Sequence, residues 1–308
     1  MKTLIIKLGA LGDIVRTTVL LNNLDGEIYW LTKYNAKDLL TSKKITDIFF
    51  IDNPDNSIKN MVEELKNIEF DLIISLDEEK EALNFLKNLK SNKIIGVYLK
   101  NNGDIDYTTE SSYWFDMSLS SKLGKEKADD LKFENPYPVP QILVEMVFGK
   151  GSWKDQEYDI GYSINTEDNR ETRKKFKIGL INISETKWPN KFWGGYGDLY
   201  RTLREKGENV SFLNLKPTLK EHIEDINSCD IIVCGDSLDM HLALALKKRV
   251  VAIFNCTPPI EIYGYKRMEK LISPLLQKYF LKHTNDKEAQ SAVNLEEVYA
   301  SVNKILKD

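Results

Sequence analysis

The chain has 308 residues, of which 42% are hydrophobic and 29% charged. That balance supports folded domains with apolar cores and excludes a chain disordered throughout. Lys and Arg number 43 against 47 Asp and Glu, a net charge of −4, which excludes a generally basic nucleic-acid binder but not a local basic patch.

At roughly 100–200 residues per domain, the length predicts two domains. The cysteines are Cys229, Cys234 and Cys256. An odd number without a regular spacing points to a reducing compartment and to small buried hydrophobes. His222, His241 and His283 form neither an HExxH motif nor a Cys/His cluster, so no metal site is expected. The opening run MKTLIIKLGALGDIV is broken by Lys7 and Asp13 and reads as a strand and turn, not as a signal peptide. No apolar run approaches the roughly 18 residues that a membrane span needs.

In chain order, strands are expected at Leu4–Leu8, Ile28–Leu31, Ile48–Ile51, Leu72–Leu76 and Ile94–Val97. Helical patterns lie between them at Asp13–Asn22, Tyr34–Leu40, Ile58–Leu65 and Lys80–Leu89. Such alternation implies βαβ units on a parallel sheet. The charge run Asp77–Glu81 reads as a solvated helix start. Ser111–Phe148 is helical, with Trp114, Phe115, Met117, Leu119 and Leu123 at roughly helical spacing and prolines interrupting near Glu134–Gln141. Lys150–Lys175 is polar and aperiodic, which marks an interdomain linker. A second alternating set follows: strand Ile178–Ile183, helix Phe192–Lys206, strand Val210–Leu213, helix Thr218–Ile226, strand Ile231–Cys234, a helix after Gly235, strand Val250–Phe254 and a final helix Leu295–Leu306. The expected fold class is α/β, with two doubly wound Rossmann-like domains. Open parallel sheets bind ligands at the carboxyl ends of their strands.

Three loops at such ends carry polar groups. In Gly9–Asp13, the glycines Gly9 and Gly12 suit a sharp turn and close approach of a ligand. Asp13 reads either as a helix N-cap, worth about 1 kcal/mol, or as a general base kept ionised by nearby helix-start amides. In Ser184–Pro189, Lys187 is a candidate for neutralising a diphosphate, with Ser184 and Thr186 as hydrogen-bond donors; the alternative is a solvated lysine beside a packed turn. In Gly235–His241, Asp236 and Ser237 precede a helix whose first amides, through Met240, form an anion site; ordinary capping and a satisfied core histidine at His241 are the alternatives. Trp114, Trp153 and Trp193 read as packing residues, and His222 and His283 have no evident partner.

At these residues the chain resembles glycosyltransferase family 9, the family of bacterial ADP-heptose:lipopolysaccharide heptosyltransferases. The resemblance is carried by KLGALGDIVRTTVLL (Lys7–Leu21), ISETKWP (Ile183–Pro189), GDSLDMHLALAL (Gly235–Leu246) and VVAIFNCTPP (Val250–Pro259). It implies a GT-B fold in which two domains face a central cleft, residues 1–160 binding the acceptor and 161–308 the nucleotide sugar, with the last helix packing back on the first domain. It further implies inverting transfer of a heptose from ADP-heptose to a lipopolysaccharide-type core, with no metal or cofactor. Asp13 would be the catalytic base. Lys187 with Thr186 and Ser184, and Asp236, Ser237, Met240 and His241, would bind the donor; Leu238 stands where the family has a glycine. Expected partners are the nucleotide sugar and a lipid-linked or oligosaccharide acceptor, and no nucleic acid. The expected location is cytoplasmic, with peripheral contact at the inner membrane face. Lys33, Lys37, Lys43 and Lys44 are candidates for that contact, against a solvated lysine-rich face. The competing readings are an epimerase-like nucleotide-sugar enzyme and a non-catalytic nucleotide- or glycan-binding relative.

Overall fold

The computed structural model describes residues 1–52, 63–118, 121–163, 175–182 and 188–307. The chain divides into two compact units, Met1–Tyr162 and Ser163–Asp308.

In the first unit the strands are β1 (Lys2–Ile6), β2 (Glu27–Thr32), β3 (Asp47–Phe50), β4 (Glu69–Phe70), β5 (Leu72–Ser75), β6 (Lys90–Ser91), β7 (Ile94–Leu99) and β8 (Ile105–Tyr107). Six of them form one sheet in the order β3-β2-β1-β5-β7-β8, and β4 pairs with β6 apart from it. The pairs are parallel except β7 with β8. β1 and β5 read as near-continuous apolar runs because both their faces are covered. Leu4, Ile6, Leu31, Ile73 and Phe85 meet in the core beneath. The strand order reverses beside β1, so the crevice at its carboxyl end lies between β1 and β5.

That crevice is braced by a buried ion pair. Lys7, just after β1, donates to Asp77 Oδ1 at 2.7 Å, and the Leu8 amide donates to Asp77 Oδ2. Asp77 is 8% exposed, so it is no part of a solvated run. A carboxylate there satisfies both the ammonium and the amide that the end of β1 leaves over, which burial makes obligatory. The rest of that run does face outward in part: Glu79 precedes the helix Lys80–Leu86 and pairs with Lys33 at 2.8 Å.

The helix expected over Asp13–Asn22 starts earlier and changes type. It is an α-helix over Leu11–Thr17 and a 3₁₀ turn over Thr18–Asn22. The helix expected over Ile58–Leu65 falls mostly outside the described residues, as does Leu119. The Ser111–Phe148 region holds helices Ser112–Asp116, Lys125–Glu134 and Val139–Phe148; Leu123 lies between them and is exposed. Part of the expected linker belongs to the first unit. The Ile160 carbonyl accepts from the Thr41 amide at 3.3 Å, and Asn22 Nδ2 donates to Glu157 O at 2.7 Å. Gly161 has φ +77°, and a Cβ there would lie 2.2 Å from the backbone of Thr41 and Ser42, so only glycine allows this crossing.

The second unit holds β9 (Lys177–Ile181), β10 (Asn209–Phe212), β11 (Ile231–Gly235), β12 (Arg249–Phe254) and β13 (Met268–Ile272), in the parallel order β10-β9-β11-β12-β13. Here the order reverses between β9 and β11. The edge strands β8 and β13 escape sequence reading because their short, half-polar runs lack a buried face. Helix Leu219–Asn227 opens with a capping box between Thr218 and Glu221. The final helix Leu295–Lys307 buries Val298, Val302 and Ile305 in the core of its own unit, against Ile231, Val233 and Val251. Among the described residues, no helix is long and apolar enough to cross a membrane.

The three cysteines are buried and unbridged. Burial pushes the Cys229 thiol up, Cys234 well up and Cys256 to about 12. All three should therefore resist iodoacetamide at pH 8 in the native protein and react after unfolding, which mass spectrometry reads directly. Removing one partner of a buried pair strands the other charge. Asp77→Ala should thus cost about 3–5 kcal/mol and lower the urea midpoint; an unchanged midpoint contradicts the bracing role of the pair.

Candidate active site

The turn after β1 shows how Asp13 is presented. Its left-handed residue is Ala10, at φ 51°, and neither Gly9 nor Gly12 has positive φ. The glycine at 9 answers another need: a Cβ there would lie 3.3 Å from Glu79 Oε1, tighter than ordinary contact. Ala10 also occupies the N-cap position, with no side-chain cap, so Asp13 is not the cap. Asp13 lies inside the first helical turn, and its amide donates to Ala10 O at 2.7 Å.

Arg16, one turn on, donates from Nη2 to Asp13 Oδ1. The arginine side chain is 12% exposed and the aspartate side chain 31%. A nearly buried guanidinium therefore holds a carboxylate that solvent still reaches. The helix start also favours the ionised form. The i, i+3 spacing of Asp13 and Arg16 was visible in the sequence but went unread.

The lysines of this unit are largely engaged. Lys33 pairs with Glu79, and Lys44 lies 3.4 Å from Asp159 and donates to Asn22 Oδ1 at 2.8 Å. Lys37 sits 4.5 Å above the Tyr34 ring. Pairing with Glu79 raises the pKa of Lys33. The carboxylates at Glu79 and Asp159 reduce the charge this group offers to an anionic surface.

In the second unit the polar groups gather at the carboxyl end of β11. Ser237 takes the N-cap position of helix Leu238–Ala245, but its hydroxyl donates to Asp239 Oδ2 at 2.9 Å instead of capping. Asp239 in turn lies 2.5 Å from His222 Nε2 on the neighbouring helix, both side chains buried. His222 therefore has a partner, and Asp239 clamps two helices together. Met240 is fully buried, so its side chain cannot meet a ligand; its backbone amide can, as one of the helix-start groups. His241 is 5% exposed, with Nε2 3.9 Å from Asp236 Oδ1. That distance is electrostatic contact and not a hydrogen bond.

Lys191, which sequence reading missed, faces this group. Its ammonium donates to the Asp236 carbonyl at 3.0 Å and to Asp236 Oδ2 at 3.1 Å. It also lies 4.4 Å above the Trp188 ring. The 3₁₀ turn Pro189–Lys191 is pinned by the fully buried Asn190, which donates to Thr284 Oγ1 at 2.9 Å and accepts from the Asp286 amide at 2.9 Å. Trp188 stacks on His283, with centroids 3.7 Å apart, and its Nε1 donates to Lys282 O at 2.9 Å. These bonds give His283 and Trp188 a shared structural role. Cys256 feels the charges of both Lys191 and Asp236, which places the loop after β12 beside them.

Of the residues picked from sequence, Asp236, Ser237, Met240 and His241 thus come together at one helix start. Asp13, Gly9 and Gly12 share the turn after β1 of the first unit. Ser184, Thr186 and Lys187 lie outside the described residues.

The family model "Glycosyltransferase family 9 (heptosyltransferase)" matches residues 213–291, the stretch that contains the Asp236–His241 helix start. The chain is 25% identical over 291 residues to lipopolysaccharide heptosyltransferase 1 of Campylobacter coli, covering 84% of this chain and 85% of the relative. Its fold is similar to a family 9 glycosyl transferase from Veillonella parvula, with TM-score 0.68, 14% identity, and coverage of 99% of this chain and 97% of that one. It is also similar to the E. coli heptosyltransferase WaaC with ADP, with TM-score 0.65, 13% identity, and coverage of 100% and 99%. The chain thus has two Rossmann-like units similar in fold to GT-B glycosyltransferases, and over residues 213–291 it is similar to glycosyltransferase family 9.

Proposed function

We propose that the protein transfers a heptose from ADP-heptose to a lipopolysaccharide-type core acceptor, with inversion and without a metal, using Asp13 as general base. The observation that carries this reading is the state of Asp13: a carboxylate fixed by a nearly buried arginine, open to solvent, at the carboxyl end of the central strand. The named relative is a lipopolysaccharide heptosyltransferase, and solved relatives hold ADP and ADP-2-deoxy-2-fluoro heptose, which supports the donor class.

In this reading the unit Met1–Tyr162 binds the acceptor and Ser163–Asp308 the donor. Asp13 accepts the proton of an acceptor hydroxyl as its oxygen attacks the anomeric carbon. The bond from that carbon to the diphosphate breaks on the opposite face, and its electron pair leaves on the phosphate oxygen of ADP. The helix-start amides of Leu238–Met240, with His241 and the Ser184–Lys187 loop, stabilise the charge that grows on the leaving diphosphate. A charge met by fixed donors strengthens binding most in the transition state, which is where rate is gained. Peripheral contact with anionic lipid at the cytoplasmic membrane face, through the Lys33–Lys44 region, completes the proposal.

Asp13→Asn should lower kcat by about 10²–10⁴-fold, the usual span for a lost general base, while donor affinity by calorimetry stays near wild type. Wild-type turnover in this variant contradicts the base assignment. ADP at about 100 times its Kd should raise stability by roughly 2.7 kcal/mol, read as a thermal shift; a panel of nucleoside diphosphates without any shift contradicts the donor site.

A further inference from the structure

In the first unit, helices Ser112–Asp116 and Val139–Phe148 leave a cavity of about 260 Å³ beside them, lined by Tyr113, Trp114, Tyr137, Gln141, Glu145 and Lys150. None of these residues serves the transfer proposed above. Glu110 forms a further wall and pairs with Lys93 at 3.4 Å, just before β7 begins. Because β7, β5 and β1 run parallel, that wall lies at the amino end of the sheet, opposite the crevice beside Asp13. We propose that this cavity is a second carbohydrate site, which binds one neutral pyranose residue of a glycan. The proposal goes beyond the transfer reading and does not depend on it.

The volume is below the roughly 300–1,000 Å³ of pockets for drug-sized ligands, so the occupant is a single small ring. A pyranose has an apolar C–H face and a rim of hydroxyls, and the cavity offers a surface for each. Tyr113 and Tyr137 are 45% and 41% exposed, an uncommon outlay of aromatic surface to water at one place. Their rings meet edge to face, with centroids 6.0 Å apart. The buried Asn135 fixes both. Its Oδ1 accepts from Tyr113 Oη at 2.8 Å and from the Tyr137 amide at 3.0 Å, and its Nδ2 donates to Tyr137 O at 2.7 Å. Trp114 is steadied by packing against the cluster of Leu83, Val97 and Phe115. An aromatic wall held in this way costs little further ordering when a ligand arrives.

The polar lining mixes donors with acceptors. Glu145 Oε1 accepts from Gln141 Nε2 at 3.2 Å and from the Gly151 amide at 3.1 Å, which fixes the carboxylate and leaves Oε2 to accept. Trp114 Nε1 and Lys150 Nζ are donors with no protein acceptor among the described residues. A hydroxyl donates and accepts at once, so a polyol satisfies both kinds of group. Charge decides against an ionic occupant: Lys93 offsets Glu110, and Lys150 offsets Glu145. A cage for an organic cation would carry surplus carboxylate, and an anion site surplus ammonium.

The test follows the indole N–H signal of Trp114 by NMR in the full chain labelled with ¹⁵N-tryptophan, the signal being identified by its loss in Trp114→Phe. The probes are the methyl glycosides of glucose, galactose, mannose and N-acetylglucosamine, with tetramethylammonium and inorganic phosphate as charged counterparts. At least one glycoside should shift the signal saturably, and neither ion should. Tyr137→Ala should weaken that glycoside by about 3–10-fold through loss of a ring contact. Gln141→Leu should weaken it by about tenfold through loss of hydrogen bonds; this variant leaves the aromatic wall whole and carries the test if Tyr137→Ala does not fold. ADP affinity should stay at the wild-type value in both. No shift with any glycoside, a shift with an ion alone, or a glycoside Kd unchanged in the folded variants overturns the proposal. Each of these results leaves the transfer reading standing, since that reading stands or falls on Asp13→Asn and on ADP.

Discussion

A parallel sheet whose strand order reverses beside one strand leaves a crevice at the carboxyl ends, because the helices on either side leave in opposite directions. Both units of this protein obey that constraint, at β1 and β5 in one and at β9 and β11 in the other. The chemistry follows from it. Strands buried on both faces hold few polar side chains and no charged one at their centre, so the segments after the strands carry the charged groups. Asp13 follows β1, Asp77 follows β5, and Asp236 follows β11.

Each of these carboxylates is answered by a cation: Arg16 for Asp13, Lys7 for Asp77 and Lys191 for Asp236. The three pairs do different jobs because their exposure differs. Lys7 and Asp77 are buried together and shape the turn. Asp13 keeps a solvent-reachable side chain on a buried guanidinium, which suits a group that must exchange a proton. Asp236 and Lys191 are buried to nearly the same degree at a helix start, where anions bind. Similar ion pairs thus sit in three different surroundings, and under the proposed function the exposed one carries the base.

The central strands were legible from sequence because continuous apolar runs such as LIIKL and IIVC have no other stable place. The helix start at Asp236 was legible too, from a polar turn ahead of HLALAL. What escaped reading depended on distant partners. Asp77 looked like one charge in an acidic run, and its burial requires Lys7, far away in sequence. Asp239 drew no reading from its neighbours in sequence, and it makes sense only with His222 on the adjacent helix. Lys191 sat outside any motif, yet a turn pinned by Asn190 aims it at Asp236. Ala10 takes the left-handed position that Gly9 and Gly12 seemed made for, since the turn bends one residue after the first and two before the second.

Under the proposed function, a carboxylate base and a departing diphosphate act in a single displacement at the anomeric carbon. The anomeric configuration of the transferred sugar, read by proton NMR on product made from a donor of defined anomer, tests that chemistry most directly. The account predicts an inverted product from the first turnover; a product that retains the donor's configuration would contradict it.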